Sequence, residues 1–457
     1  MERRENLSSR LGFILLSAGC AIGLGNVWKF PYMVGQNGGA AFVLLYFLCL
    51  IVMGIPMMTV EFAIGRASQK SPMIDCKVLQ KQGQKWHLHG PMALVGNYIL
   101  MMFYTTVAGW MLNYFLKTAT GEFSGKTPTQ IDKVFSDMTA NPWEMLLWMS
   151  VVVVLGFLIC SLGLQNGVEK ITKVMMIGLI VLILALAVNS ILLEGGQEGL
   201  VFYLKPDFTK VTISTVVAAM NQAFFTLSIG IGAMAIFGSY IGKEHSLMGE
   251  SVRVAILDTF VAVCAGLIIF PACSAFDKGG YTDAGPPLIF QTLPNIFSNM
   301  SGGRFWGSIF FVFMAFAALS TVIAVFECII ACTIDAFGWS RKKACVINGI
   351  ATFALSVPCV LGFNVIPTLM GNNVLDIEDI IVSNFLLPLG ALIYLLFCVS
   401  KKGWGWDNFV KEANTGNGLK IPKWLKPYMT YILPLIIIVI FVLGVFDVLK
   451  KFGIELF

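Results

Sequence analysis

Gly19-Cys20-Ala21-Ile22-Gly23-Leu24-Gly25-Asn26-Val27-Trp28-Lys29-Phe30-Pro31 lies inside the first long apolar run of the chain, from about Leu11 to Gly39. That run is long enough to cross a bilayer as a helix. Three glycines, an asparagine and a proline nevertheless make it poor helix material at this point. No water is available at that depth, so a broken helix survives only where its freed backbone groups face protein, a bound ligand or a polar cavity. Asn26 and Lys29 beside the break favour a ligand over a mere kink. A second stretch of the same kind follows far downstream, Asn221-Gln222-Ala223-Phe224-Phe225-Thr226-Leu227-Ser228-Ile229-Gly230-Ile231-Gly232. Two interrupted spans in different halves of one chain point to a binding site near the middle of a membrane.

Composition agrees with a chain that lives in lipid. Of its 457 residues 57% are hydrophobic and 12% charged, against about 45–50% and about 25% in soluble domains. The apolar residues come in long uncharged runs, which makes the fold class all-α, polytopic and membrane-embedded. The net charge of +5 sits in short loops between the runs and is no nucleic-acid signal. Eleven cysteines form no CxxC pair, and His87, His89 and His245 provide no metal-ligand spacing. Basic residues precede the first run, but no short apolar stretch with a small-residue cleavage site does, so the first span is expected to be kept.

Apolar windows predict eleven spans, near 11–36, 40–66, 90–117, 143–163, 168–193, 213–241, 248–273, 305–334, 343–363, 377–400 and 428–449. Basic residues cluster before the first span (Arg3, Arg4, Arg10) and after the second (Arg66, Lys70, Lys77, Lys81, Lys85). They cluster again after the eighth (Arg341, Lys342, Lys343) and after the tenth (Lys401, Lys402, Lys411, Lys420, Lys423, Lys426). All fall on one side if the N-terminus is cytoplasmic, and an odd number of spans then puts the C-terminus outside. Segments 118–142, 194–212 and 274–304 are expected as the longer loops of the opposite side. A single transmembrane domain over 1–457 follows, with one five-span half at about 11–193, a second at about 213–400, and an extra helix at about 428–449. Each half opens on a broken segment, as an inverted repeat would.

Helix breaks expose orphan N–H groups on one side and orphan C=O groups on the other. The first suit a carboxylate and the second an ammonium or Na⁺, so a zwitterion fits between two breaks. The competing reading gives Gly19, Gly23 and Gly25 a packing role only. Asp258, in Val254-Ala255-Ile256-Leu257-Asp258-Thr259-Phe260-Val261, sits where a charge costs roughly 3 kcal/mol. A bound cation offsets that cost, unless the group is protonated or paired within the protein. Glu327 has no lysine or arginine in its own span and reads as structural or gating; Glu61, near Arg66, reads as part of an interfacial network. Ser320 and Thr321 offer neutral oxygens suited to a hard monovalent cation, or else bond back to the preceding turn. Tyr104 is well inside the third run, where its hydroxyl needs a partner.

Several motifs resemble the neurotransmitter:sodium symporter family, and within it the bacterial amino-acid transporters. They are Gly23-Leu24-Gly25-Asn26-Val27-Trp28-Lys29-Phe30-Pro31-Tyr32, Asn37-Gly38-Gly39 with Phe42, and Gln222 through Gly232. Gly285-Pro286-Pro287-Leu288-Ile289-Phe290 and Ser383-Asn384 before Leu386-Leu387-Pro388 complete the set, which runs in order from about Ser9 to Lys401. The resemblance implies a 5+5 inverted-repeat fold with helices 1 and 6 broken, and amino-acid or amine uptake coupled to Na⁺. It implies that the amides of Leu24 and Gly25 and the Tyr104 hydroxyl hold the substrate carboxylate. Carbonyls of Ala21, Phe225, Thr226 and Ser228 would receive the ammonium, and Leu100, Ile231 and Val325 would line the side-chain pocket. One Na⁺ would sit on Ala21, Asn26, Thr226 and Asp258, touching the substrate as well. A second would sit on the carbonyls of Gly19, Ile22 and Ala317 and the hydroxyls of Ser320 and Thr321. Lys29, Gln222, Phe225 and Asp379 would form the outer gate, and Arg4, Tyr240 and Asp335 the inner one.

Departures from the family pattern sharpen the expectation. Gly23 stands where amine-transporting members carry an Asp, which favours a substrate that brings its own carboxylate. Asp258 and Ala262 stand where animal members place an Asn and a Ser of a Cl⁻ site, so no chloride requirement is expected. Lys29 replaces the usual Arg and cannot make a bidentate fork with Asp379, which makes for a looser gate. The chain is thus expected to be a Na⁺-coupled symporter that imports neutral, hydrophobic L-amino acids by alternating access across the cell (inner or plasma) membrane. No enzyme is expected, since nothing resembles a nucleophile–base pair; neither is a nucleic-acid partner or an obligate protein partner. Two rivals stand beside this reading. A proton-coupled amino-acid transporter would use Asp258 or Glu327 as carrier, but has no need of the Ser320–Thr321 pair. A non-transporting membrane sensor calls for an added soluble domain.

Overall fold

The computed structural model describes residues 5–276, 286–366, 368 and 371–451. Among them the chain forms helices and connecting turns, with one isolated β-bridge between His245 and Asn417. In order come α1 (Arg10–Ala21), α2 (Gly25–Gln36), α3 (Ala40–Ser68), α4 (Trp86–Ala119), α5 (Pro142–Ser161) and α6 (Leu164–Ile191). The shorter α7 (Ile213–Thr226) and α8 (Ala233–Gly238) follow. Last are α9 (Leu247–Phe276), α10 (Gly303–Phe337), α11 (Arg341–Leu361), α12 (Val374–Val399) and α13 (Leu425–Phe446).

Among the described residues nine helices are long and apolar enough to cross a membrane, and the pair α1–α2, bent by 55°, makes a tenth. The span expected over 213–241 is divided: α7 has 14 residues and α8 has 6. Neither reaches across a hydrocarbon core of about 30 Å at about 1.5 Å per residue. The chain enters these helices through side-chain caps. Ser9 accepts from the Gly12 amide at 3.0 Å, Thr212 from Thr215 at 3.2 Å and Asn373 from Asp376 at 2.8 Å. Each cap occupies one of the donors that a helix start leaves unpaired.

Burial separates core from periphery. In α10 and α4, 78% and 72% of the most apolar window is buried, against 39% in α5, α6 and α11 and 33% in α13. α10 and α4 therefore form the centre, while the others turn much of their surface outward. The loops expected at 118–142, 194–212 and 274–304 hold short helices, Pro128–Ala140, Gln197–Leu204 and Leu293–Asn299. A hydropathy window passes over such polar helices, although Thr127 and Gln130 form a capping box that marks the first. That helix carries Phe135, which stacks on Phe290 at 5.3 Å, with Trp110 and Tyr114 packed edge-on beneath.

Candidate functional site

α1 ends because Ile22 leaves the helical region, with φ −71° and ψ 95°. The second break is more strained: Ser228 has φ +51°, and Gly230 and Gly232 have φ +110° and +76°. A left-handed serine is uncommon and costs free energy, so such residues cluster where the backbone itself has a task. Glycine is required at 230 for a second reason, since a Cβ there would meet the Leu387 carbonyl at 2.1 Å. Glu61 anchors this break, accepting from the amides of Gly230 at 2.5 Å and Met234 at 3.2 Å. The structure thus corrects the interfacial network expected of Glu61 and Arg66. Arg66 reaches Glu412 at 2.6 Å instead, a partner 346 positions away.

One polar cluster forms around Asp258, which is fully buried with Asn26. Asn26 donates to the Asp258 carboxylate at 2.8 Å and accepts from the Gly23 amide at 3.2 Å. The Thr226 hydroxyl reaches Asp258 at 3.1 Å and Tyr46 reaches it at 3.5 Å. No lysine or arginine takes part among these contacts, so the carboxylate's charge is met by neutral donors alone.

A second cluster surrounds Thr321. Its hydroxyl lies 3.2–3.4 Å from the carbonyl oxygens of Gly19, Cys20, Ile22 and Ala317. Ser320 bonds to the Ala317 carbonyl at 2.9 Å. One hydroxyl proton serves one acceptor at a time; with Ser320 on Ala317 and Ser228 on Cys20 at 3.4 Å, the Gly19 and Ile22 carbonyls share the single Thr321 proton. Hard oxygens without a carboxylate suit a monovalent cation rather than a transition metal.

Beside Thr321 lies a cavity lined by Ala21, Leu24, Gly25, Leu100, Tyr104, Phe225, Ser228 and Ile231, all anticipated as substrate contacts. The Leu24 amide donates to the Tyr104 hydroxyl at 3.1 Å, the two groups expected to hold a carboxylate. Gly23 faces them so closely that a Cβ would sit 2.2 Å from the Tyr104 oxygen and 2.8 Å from that of Thr321. Val325 is buried in α10 but is not in the lining, and the Thr226 hydroxyl is committed to Asp258. Val382 and Leu387 complete the apolar wall and were missed in the sequence. No local signal marks them: α12 widens to a π-turn over Ile381–Leu386, beside Ser383-Asn384, a backbone feature that only the fold reveals.

Phe225 lines the cavity, with its ring 3.0 Å from where a Cβ on Gly25 would sit and the Lys29 ammonium 3.7 Å from its centroid. Gln222 bonds to the Gly25 carbonyl at 3.0 Å. Asp379 accepts from Ser383 at 2.7 Å, and no ion pair joins it to Lys29 among the described residues. At the other end Tyr240 donates to Glu327 at 2.8 Å, and Arg341 holds the same carboxylate with two nitrogens. Glu327 thus finds its cation on the next helix. Asp335 accepts from the Ser71 amide at 2.7 Å and lies 3.6 Å from Lys70. Arg4, the third expected member of the inner gate, lies outside the described residues.

A helical bundle with two broken spans meeting at an oxygen-rich central cavity is the architecture of a secondary transporter. The chain belongs to the Sodium:neurotransmitter symporter family, whose profile matches residues 4–130 and 117–453. It is a sodium-dependent, multi-pass membrane transporter and not an enzyme. It is 35% identical over 462 residues to an uncharacterized sodium-dependent transporter of Haemophilus influenzae, covering 97% of this chain and 99% of that one. A Bacillus subtilis sodium-dependent transporter, also uncharacterized, is 34% identical over 440 residues, with 95% and 96% covered. The crystal structure of MhsT in complex with L-phenylalanine matches the fold with a TM-score of 0.86 and 36% identity. That match covers 96% of this chain and 100% of MhsT.

Proposed function

We propose that the protein is a Na⁺-coupled, chloride-independent symporter that imports neutral, hydrophobic L-amino acids. The observation that carries this reading is the Thr321 hydroxyl ringed by three carbonyl oxygens at the end of α1 and one from its own helix α10. Gly19, Ile22, Ala317, Ser320 and Thr321 would hold one Na⁺. Asn26, Thr226 and Asp258, with the Ala21 carbonyl, would hold the other next to the substrate carboxylate. That carboxylate would lie on the Leu24 and Gly25 amides and the Tyr104 hydroxyl, with the ammonium on the carbonyls of Ala21, Phe225, Thr226 and Ser228. Leu100, Ile231, Val382 and Leu387 would receive an apolar side chain; the phenylalanine bound to MhsT is consistent with that class.

Coupling then needs no chemistry. Because the substrate carboxylate would complete one Na⁺ site, each ligand raises the affinity for the other by the same factor. Alternating access would open the Phe225–Lys29 cover on one side and the Tyr240–Glu327–Arg341 and Lys70–Asp335 contacts on the other. Asp258 supplies in protein the negative charge for which chloride would otherwise be needed. The distribution of basic loops supports a cytoplasmic N-terminus and an outer C-terminus in the cell membrane.

Uptake of radiolabelled hydrophobic amino acids into proteoliposomes tests the reading, with an inward Na⁺ gradient set against an equal K⁺ gradient at constant pH. Accumulation is expected only with Na⁺ and unchanged when gluconate replaces chloride. Accumulation that ignores Na⁺ and follows an imposed pH gradient would overturn it in favour of proton coupling.

A further inference from the structure

α5 and α11 lie side by side and antiparallel at the periphery of the bundle, where Arg341 at the start of α11 reaches the Cys160 carbonyl near the end of α5 at 2.7 Å. A groove of about 600 Å³ runs between them. Its walls include Val154, Phe157, Leu158, Val346, Ile350 and Phe353. Phe157 forms a firm floor, stacked on Phe326 of α10 at 4.0 Å and 18°. Gly349 faces Phe157, whose ring lies 3.4 Å from where a Cβ would sit. Val154, Leu158, Val346 and Ile350 are each more than half exposed. In a helix pair of this apolarity, that exposed surface faces lipid rather than water.

Length and charge select the occupant. On each helix the lining covers about three turns, roughly 16 Å, close to the roughly 15 Å of one leaflet's hydrocarbon. One end of the groove is closed by Lys342 and Ser161, and Lys342 carries the lining's only charge. Arg341 beside it is taken up by Glu327 and the Cys160 carbonyl. Lys342 has no ion pair among the described residues, and Lys343 follows it in sequence. A zwitterionic headgroup could offer its phosphate to Lys342 but would bring its own ammonium beside it, whereas basic pockets between membrane helices favour headgroups of net negative charge.

We propose that the groove between α5 and α11 binds one anionic phospholipid, its acyl chain along Val154, Phe157 and Ile350 and its phosphate at Lys342. The site is separate from the central cavity and independent of which amino acid the protein carries. Native mass spectrometry of the full chain tests it, with release from micelles holding equal phosphatidylglycerol and phosphatidylcholine. The wild type is expected to retain one phosphatidylglycerol in preference by about five-fold, the weight of one basic residue at an anionic surface. Lys342→Gln, a surface change that leaves the packing intact, should bring the two lipids to equal retention. Val154→Trp should fill the groove and abolish retention of both. Unchanged phosphatidylglycerol preference in Lys342→Gln would overturn the proposal. So would disulfide cross-linking between two copies of Val154→Cys, which would place a second chain over the groove.

Discussion

Thr321 has one proton to give and the Gly19 and Ile22 carbonyls at 3.2 and 3.3 Å both facing it, so the proposed Na⁺ would satisfy them together. Thr321→Val keeps the shape and removes the hydroxyl. A contact of a hydroxyl with a charge is worth about 1.5–3 kcal/mol. Half-maximal uptake should therefore need about ten-fold more Na⁺ or beyond, read from uptake against Na⁺ concentration. Asn26 tests the other cluster. Asn26→Ala removes the donor at 2.8 Å from Asp258 and should eliminate most Na⁺-dependent substrate binding in a scintillation assay. Retained affinity at low Na⁺ would contradict that assignment. At Gly23 an Asp would set a second carboxylate against the substrate's, and it would also clash with Tyr104. Even Gly23→Ala puts a Cβ at 2.2 Å from the Tyr104 oxygen and should weaken substrate binding without adding charge.

At the scale of elements, the distinctive feature is that α7 and α8 are held apart by a six-residue turn rather than joined. The amides of Gly230 in this turn and of Met234 at the start of α8 would be unpaired in a dry interior without Glu61. Glu61→Gln keeps the size and weakens both bonds. An expected loss of about 1–3 kcal/mol should lower the unfolding temperature in detergent and depress uptake together; a variant with normal stability and transport would deny Glu61 this role. Hydropathy located the run over 213–241 but could not find this anchor, because Glu61 comes 169 positions before its partner. Local signals did better where both partners are neighbours in sequence, as with the Thr127–Gln130 capping box.

For the whole molecule, the proposed coupling of ion and substrate implies that the two would stabilise the fold together. A ligand at about a hundred times its Kd stabilises the folded state by about 2.7 kcal/mol. A mixture of hydrophobic amino acids should therefore raise the unfolding temperature in Na⁺ and leave it unmoved in K⁺. Equal protection in both salts would mean that the ion and the amino acid do not share a site. The two ends of the cavity are held by different chemistry: a cation on an aromatic ring at one, and the Tyr240–Glu327–Arg341 contacts at the other.

Everything that depends on stretches of chain was decided by sequence alone: the membrane class, the two breaks, and the polar residues in apolar runs, Asn26, Asp258, Ser320 and Thr321. Hydrophobicity and helix-breaking are local properties, and lipid makes a buried polar group too costly to be accidental. Tertiary structure alone decided the partners. It set Lys29 on Phe225 instead of Asp379, gave Glu327 to Arg341 and Arg66 to Glu412, and brought Val382 and Leu387 into the cavity wall. A side chain's partner is whichever group the packing of distant helices brings within about 3 Å, and no local pattern encodes that distance.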